Sequence, residues 1–169
     1  MARNTEIKSR LHSLEAVIKQ ISRMESSEPA VLNQEDTFFN IPDGRLKWRS
    51  MDQHSELIFY KRPDTSGPSI SQYKRVETTG QPELKQMLQE SLGVKGIVKK
   101  KRRLFIVGQT RIHLDEVEGL GNFLELEVVL QEHQNNAEGE AIIKDLMMQL
   151  KIDHKDLIKS AYIDLLLLR

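Results

Sequence analysis

The chain contains no cysteine. That excludes a disulfide scaffold, a thiolate zinc site and a cysteine nucleophile. It carries no net charge either, since 25 Lys and Arg are balanced by 25 Asp and Glu. Duplex DNA and membrane surfaces both select a basic excess, so no nucleic-acid or membrane partner is expected. No apolar run is long enough to span a bilayer, and the terminal Leu165-Leu166-Leu167-Leu168 is far too short. No signal-peptide pattern is present, so a soluble, cytoplasmic protein is expected. Also missing are a glycine-rich phosphate loop, a Ser/His/Asp set, a dinucleotide fingerprint, any internal repeat and any low-complexity tract.

What is plentiful is charge, at 30% of 169 residues. The length suits one domain with a real core, here residues 1–169 as a single unit. Leu14, Val17, Ile18 and Ile21 have helical spacing, as do Leu84, Met87, Leu88 and Leu92, and again Ala141, Ile142, Leu146 and Leu150. A short helical tail follows the last of these. Strand-like segments cover residues 4–10, 31–39, 45–51, 56–61, 69–77, 96–107, 111–115 and 123–130. Turn signals such as Pro42-Asp43-Gly44 and Gly108 separate them. Eight strands without βαβ alternation predict an antiparallel α+β fold, and eight strands can close into a barrel that holds one small ligand.

Alternate side chains of a strand point to opposite faces. Arg45, Lys47 and Arg49 therefore share a face opposite Leu46 and Trp48. The same parity groups Glu6 with Lys8, Lys100 with Arg102, Arg111 with His113 and Asp115, and Glu125 with Glu127. Two arrangements fit this pattern. One is an ordinary amphipathic sheet with a solvated face. The other is a barrel with charge inside and apolar faces outside, covered by the amphipathic helices. The clustering of charge by sign, with cations on middle strands and carboxylates toward the last two, points to the second. Confined cations imply a polyanion, and a triphosphate carries about four negative charges suited to arginine forks and lysine point charges. A carboxylate group of Glu6, Asp115, Glu125 and Glu127 offers oxygen ligands for Mg²⁺ or Mn²⁺. The basic run Lys99–Arg103 exposes only half its charges on any one face, and a one-residue slip would exchange Lys100 and Arg102 for Lys99, Lys101 and Arg103.

Taken in order, Glu6-Ile7-Lys8, Asp36-Thr37-Phe38-Phe39, Gly44-Arg45-Leu46-Lys47-Trp48-Arg49, Phe59-Tyr60-Lys61-Arg62, Lys99-Lys100-Lys101-Arg102, Ile112-His113-Leu114-Asp115-Glu116-Val117-Glu118-Gly119 and Phe123-Leu124-Glu125-Leu126-Glu127 resemble the CYTH family. This family, also called triphosphate tunnel metalloenzymes, includes class IV adenylate cyclases and thiamine triphosphatases. The resemblance implies an eight-stranded tunnel with helices packed outside. It implies that Glu6, Asp115, Glu125 and Glu127 are catalytic metal-binding carboxylates. Lys8, Lys47, Arg49, Lys61, Lys100 and Arg102 become phosphate ligands, with Arg111 a further contact. The family's first glutamate is replaced here by Asn4. The implied activity is hydrolysis of a small-molecule triphosphate such as tripolyphosphate, thiamine triphosphate or a nucleoside triphosphate. Adenylate cyclisation and non-catalytic polyphosphate binding are the alternatives. Monomer and homodimer both fit.

Overall fold

The computed structural model describes residues 2–65 and 67–169. Nine strands and four α-helices follow one another as β1 (Ala2–Arg10), α1 (Leu14–Ile21), β2 (Ala30–Phe39), β3 (Arg45–Met51), β4 (His54–Lys61), β5 (Ser69–Glu77), α2 (Pro82–Leu92), β6 (Val94–Val107), β7 (Thr110–Val117), β8 (Gly121–Val129), α3 (Asn136–Leu150), β9 (Leu157–Ile158) and α4 (Tyr162–Leu167). A 3₁₀ turn, His154–Asp156, precedes β9.

All pairings are antiparallel, in the order β5-β4-β3-β2-β6-β7-β8-β1, and β1 pairs back onto β5 to close an eight-stranded barrel. The two-residue β9 extends the β5 side of β1 by pairing with Lys8 and Ser9. Closure leaves no free edge, which removes the template that an open sheet offers for aggregation. The α+β barrel with external helices is the architecture expected from the strand pattern.

The outward parity builds the main core. Ile7 of β1, Phe105 of β6, Ile112 and Leu114 of β7, and Leu124, Leu126 and Val128 of β8 are buried against Val17 and Ile21 of α1 and Ile143, Leu146, Met147 and Leu150 of α3. Each such side chain contributes roughly 1.5–3 kcal/mol through burial. Helices α1 and α3 begin where the sequence offers side-chain caps. Ser13 accepts from the Ala16 amide, and Asn135 with Glu138 forms a reciprocal capping box. Helix α3 approaches β1 so closely that a Cβ on Gly139 would lie 2.3 Å from Thr5 Oγ1. Trp48, on the outward parity of β3, is buried away from the lumen.

A second cluster fills one end of the barrel. Phe38, Val98, Val117 and Phe123 pack with Ala161, Tyr162 and Ile163 of the carboxy-terminal segment. Arg45 and Lys95 reach Asp164 there at 2.9 and 3.2 Å, and Arg62 donates to the Lys159 carbonyl. The opposite end carries half-exposed Leu32, Met51 and Tyr73. Among the described residues no helix is long and apolar enough to cross a membrane.

Candidate functional site

The inward parity of the strands lines a cavity of about 290 Å³. Strand β3 contributes Lys47 and Arg49, and β6 contributes Lys100 and Arg102. Strand β1 contributes Glu6 and Lys8, β7 contributes Arg111 and His113, and β8 contributes Glu125 and Glu127. In the ring of eight strands β3 lies four positions from β8, so Lys47 and Arg49 look across the lumen toward Glu125 and Glu127. Of the basic run on β6, Lys100 and Arg102 are buried, whereas Lys99 and Lys101 are exposed.

Two residues of the expected set lie outside this lining. Lys61 is on the outward parity of β4, half exposed, and pairs with Asp43. Its neighbour Arg62 takes the inward position and reaches Glu6 Oε1 at 3.1 Å. Asp115 is fully buried on the inward parity of β7, at the end of the barrel that Tyr162 covers. It accepts Arg102 Nε and Nη2 at 2.7 and 2.6 Å and the Tyr162 hydroxyl at 2.8 Å. With its oxygens engaged in this way, Asp115 positions Arg102 and the terminal segment.

The lumen also holds groups that parity analysis passed over. Asp36 of β2 lies at the centre of the cationic wall, accepting from Lys47 Nζ and Lys100 Nζ at 2.9 Å and from Arg49 Nε and Nη2 at 2.7 and 2.8 Å. Burial alone would raise its pKa, but Arg49, Lys100 and Lys47 together hold it well below the ordinary carboxylate value. Burial, then repulsion from Arg49, brings Lys47 down to about 8. Burial brings Lys100 down to about 7 despite Asp36. Glu56, Tyr73 and Arg75 line the cavity from β4 and β5.

On the acidic wall, Lys8 lies 3.0 Å from Glu125, and Arg111 lies 3.0 Å from Glu127. Burial and then Glu127 push the Glu6 carboxyl up to about 7, against the pull of Arg62. Burial opposes ionisation of Glu125 too, yet Lys8, His113 and Arg102 keep it well below its usual value. His113, Glu125 and Glu127 each present one ligand atom, all within 4.8 Å of one another. That spacing and donor set fit a divalent cation. Asn4 is buried beside them. The amide orientation that satisfies both of its ends donates to the Arg3 carbonyl and accepts from Arg111, each at 3.2 Å.

A tunnel divided into a cationic and an acidic wall invites comparison with known proteins. The model of the CYTH domain matches residues 2–162. The chain belongs to the CYTH family. A CYTH relative by sequence is a Methanocaldococcus jannaschii protein named as a candidate adenylate cyclase, 24% identical over 95% of this chain and 96% of its own. Among solved structures, the PH1012 protein of Pyrococcus horikoshii superposes with a TM-score of 0.85 at 24% identity, covering 96% of this chain and 98% of its own. A Hippeastrum protein named as a candidate adenylyl cyclase and described as having a dominant triphosphatase activity superposes with a TM-score of 0.61 at 18% identity, covering 94% of this chain and 91% of its own.

Proposed function

We propose that this protein is a metal-dependent triphosphatase acting on a small-molecule triphosphate bound in the tunnel. The observation that carries this reading is the division of one enclosed lumen into a wall of Lys47, Arg49, Lys100 and Arg102 and a wall of Glu6, Glu125 and Glu127 with His113. A polyanion satisfies the first wall and a divalent cation the second. Mg²⁺ or Mn²⁺ held by Glu6, Glu125 and Glu127, when bound, supplies charge neutralisation and a polarised water.

The chain's own residues perform the remaining tasks. Lys47, Arg49, Lys100 and Arg102 grip the phosphoryl oxygens and stabilise charge on the leaving diphosphate. Lys8 and Arg111 orient Glu125 and Glu127 through their ion pairs. Glu6, whose carboxyl burial and Glu127 push up when no cation is bound, is the lumen carboxylate that would accept a proton from the attacking water. In-line attack at the terminal phosphorus gives orthophosphate.

Cyclisation of ATP is the second reading, favoured by the name of the Methanocaldococcus relative. It needs the same cradle but attack by a ribose hydroxyl on the first phosphorus. Hydrolysis is preferred because no set of lumen residues is dedicated to reading adenine. The deciding experiment incubates the protein with ATP, thiamine triphosphate and tripolyphosphate, with Mg²⁺ or Mn²⁺, and identifies the products. Orthophosphate from any of them supports the triphosphatase. Cyclic AMP with pyrophosphate replaces it with the cyclase, and tight binding without turnover replaces both with a binding protein.

A further inference from the structure

We infer that His113 is a metal ligand: its Nδ1, with one oxygen each from Glu125 and Glu127, forms a mixed nitrogen and oxygen site that takes Mn²⁺ or a later first-row divalent cation in preference to Mg²⁺. The inference rests on the reading that the acidic wall holds a cation, and it is independent of which reaction follows.

His113 is only 4% exposed, and its Nδ1 makes no hydrogen bond of good geometry among the described residues, only the long approach to Glu125 that helps hold that carboxyl low. A buried polar atom left without a good partner is costly and calls for an occupant. Its nearest acidic neighbours are Glu125 Oε2 at 3.5 Å and Glu127 Oε1 at 3.7 Å. Those separations are too long for good hydrogen bonds. They are close instead to the spacing of two ligand atoms around one ion, for bonds of about 2.1 Å roughly 3.0 Å at the right angle of an octahedral site and roughly 3.4 Å at a tetrahedral angle. The three side chains project from adjacent strands in fixed register, His113 opposite Glu125, with Ile112, Leu114, Leu124 and Leu126 buried behind them. Little reorganisation is therefore needed on binding.

Neighbouring groups leave room for this role. Glu125 Oε2 also lies 3.1 Å from Arg102, but Arg102 keeps two bonds to Asp115 if that oxygen turns to a cation. Asn4 contributes no charge, and its amide is occupied with Arg3 and Arg111. The imidazole thus supplies a donor at a site short of one carboxylate. Mg²⁺ holds almost exclusively to oxygen, whereas imidazole suits the borderline transition metals.

The test uses the whole chain with no triphosphate present. Mn²⁺ is titrated in and free ion counted by electron paramagnetic resonance, with and without competing Mg²⁺, while electron spin-echo envelope modulation reads directly bound nitrogen. The wild-type protein is expected to show ¹⁴N coupling. His113→Gln is expected to lose it, with Mn²⁺ affinity falling at least ~10-fold and Mg²⁺ affinity changing by less than about threefold. Absence of nitrogen coupling in the wild type, or parallel loss of both cations in the variant, overturns the assignment, as does failure to bind Mn²⁺. The wild-type spectrum decides even if the variant folds poorly. A hydrolysis assay that fails leaves this result standing, and a spectrum without nitrogen leaves the triphosphatase standing.

Discussion

The Arg102 guanidinium and the Asp115 carboxylate form a two-bond ion pair at 2.7 and 2.6 Å, with Arg102 7% exposed and Asp115 fully buried. Tyr162 of α4 caps the same carboxylate. The pair therefore joins β6, β7 and the terminal segment at one point at the closed end of the lumen.

Asp115→Asn leaves Arg102 with a buried charge and is expected to cost roughly 3–5 kcal/mol in urea denaturation at pH 7. Burial opposes ionisation of Asp115, but Arg102 lowers its pKa below the ordinary aspartate value of 3.8. Its contribution is thus fully present above that value and is lost as pH falls through the lower folded value. The gap between wild type and variant should narrow below about pH 4. A gap that stays constant on acidification contradicts the ionic character of the pair.

Asp36→Asn removes the carboxylate that Lys47, Arg49 and Lys100 share. Asp36 supports the charged forms of both lysines against burial. Without it their pKa values drop further, so the alkaline limit of tripolyphosphate binding should move to lower pH. Binding by the variant should be weaker at pH 8 and recover near pH 6. Isothermal titration across that range checks it, and an unmoved profile would sink the idea.

Lys61 and Arg62 are adjacent in sequence and opposite in orientation. Lys61→Ala should leave the Michaelis constant for a triphosphate within about twofold, whereas Arg62→Ala should raise it at least ~10-fold, about 1.4 kcal/mol. Equal effects of the two substitutions would contradict the inward placement of Arg62.

Glu6 titrates in the opposite sense to Asp115. Its folded value, raised by burial and Glu127 to about 7, exceeds the ordinary glutamate value of 4.5. Folding then costs more as pH climbs from about 4.5, and the full penalty holds above the folded value. In the absence of metal, wild type should lose stability between pH 5 and pH 8 by on the order of 3 kcal/mol more than Glu6→Gln does. Chemical denaturation at both pH values measures this double difference, and parallel curves would refute the raised value.

Gly139→Ala tests how α3 is seated. Its Cβ would meet both Thr5 and Leu130 within 3.0 Å. Overpacking of this kind costs typically ~1–3 kcal/mol, seen as a lower Tm, with turnover unchanged at temperatures where the variant is folded. An unaltered Tm would show that the helix can shift freely.

Much of this arrangement was legible from parity alone. Lys47 with Arg49, Lys100 with Arg102 and Glu125 with Glu127 all alternate with large apolar residues, so one face had to be buried against helices and the other had to be charged. On β4 the signal fails because Ile58 and Tyr60 face the lumen while Leu57 and Phe59 face out, so apolarity marks neither side. Continuing the inward series Glu56, Ile58, Tyr60 by two residues reaches Arg62, which was the available clue. Asp36 lies next to Glu35, and a sequence cannot say which of two adjacent acids is surrounded by cations from the two flanking strands, β3 and β6. The unpartnered nitrogen of His113 and the two-residue β9 depend wholly on tertiary placement. The capping pair Asn135 and Glu138, by contrast, is a local signal for the start of α3.

Barrel closure has a consequence for how the chain acquires its shape. The first strand must hold three partners, β5, β8 and β9, the last two drawn from residues 121–129 and 157–158. During synthesis it emerges long before β8 and β9 do, and the barrel cannot close until they follow. Pairings so distant along the chain form slowly. The lumen and its charged walls are therefore assembled late, only after β8 has been made.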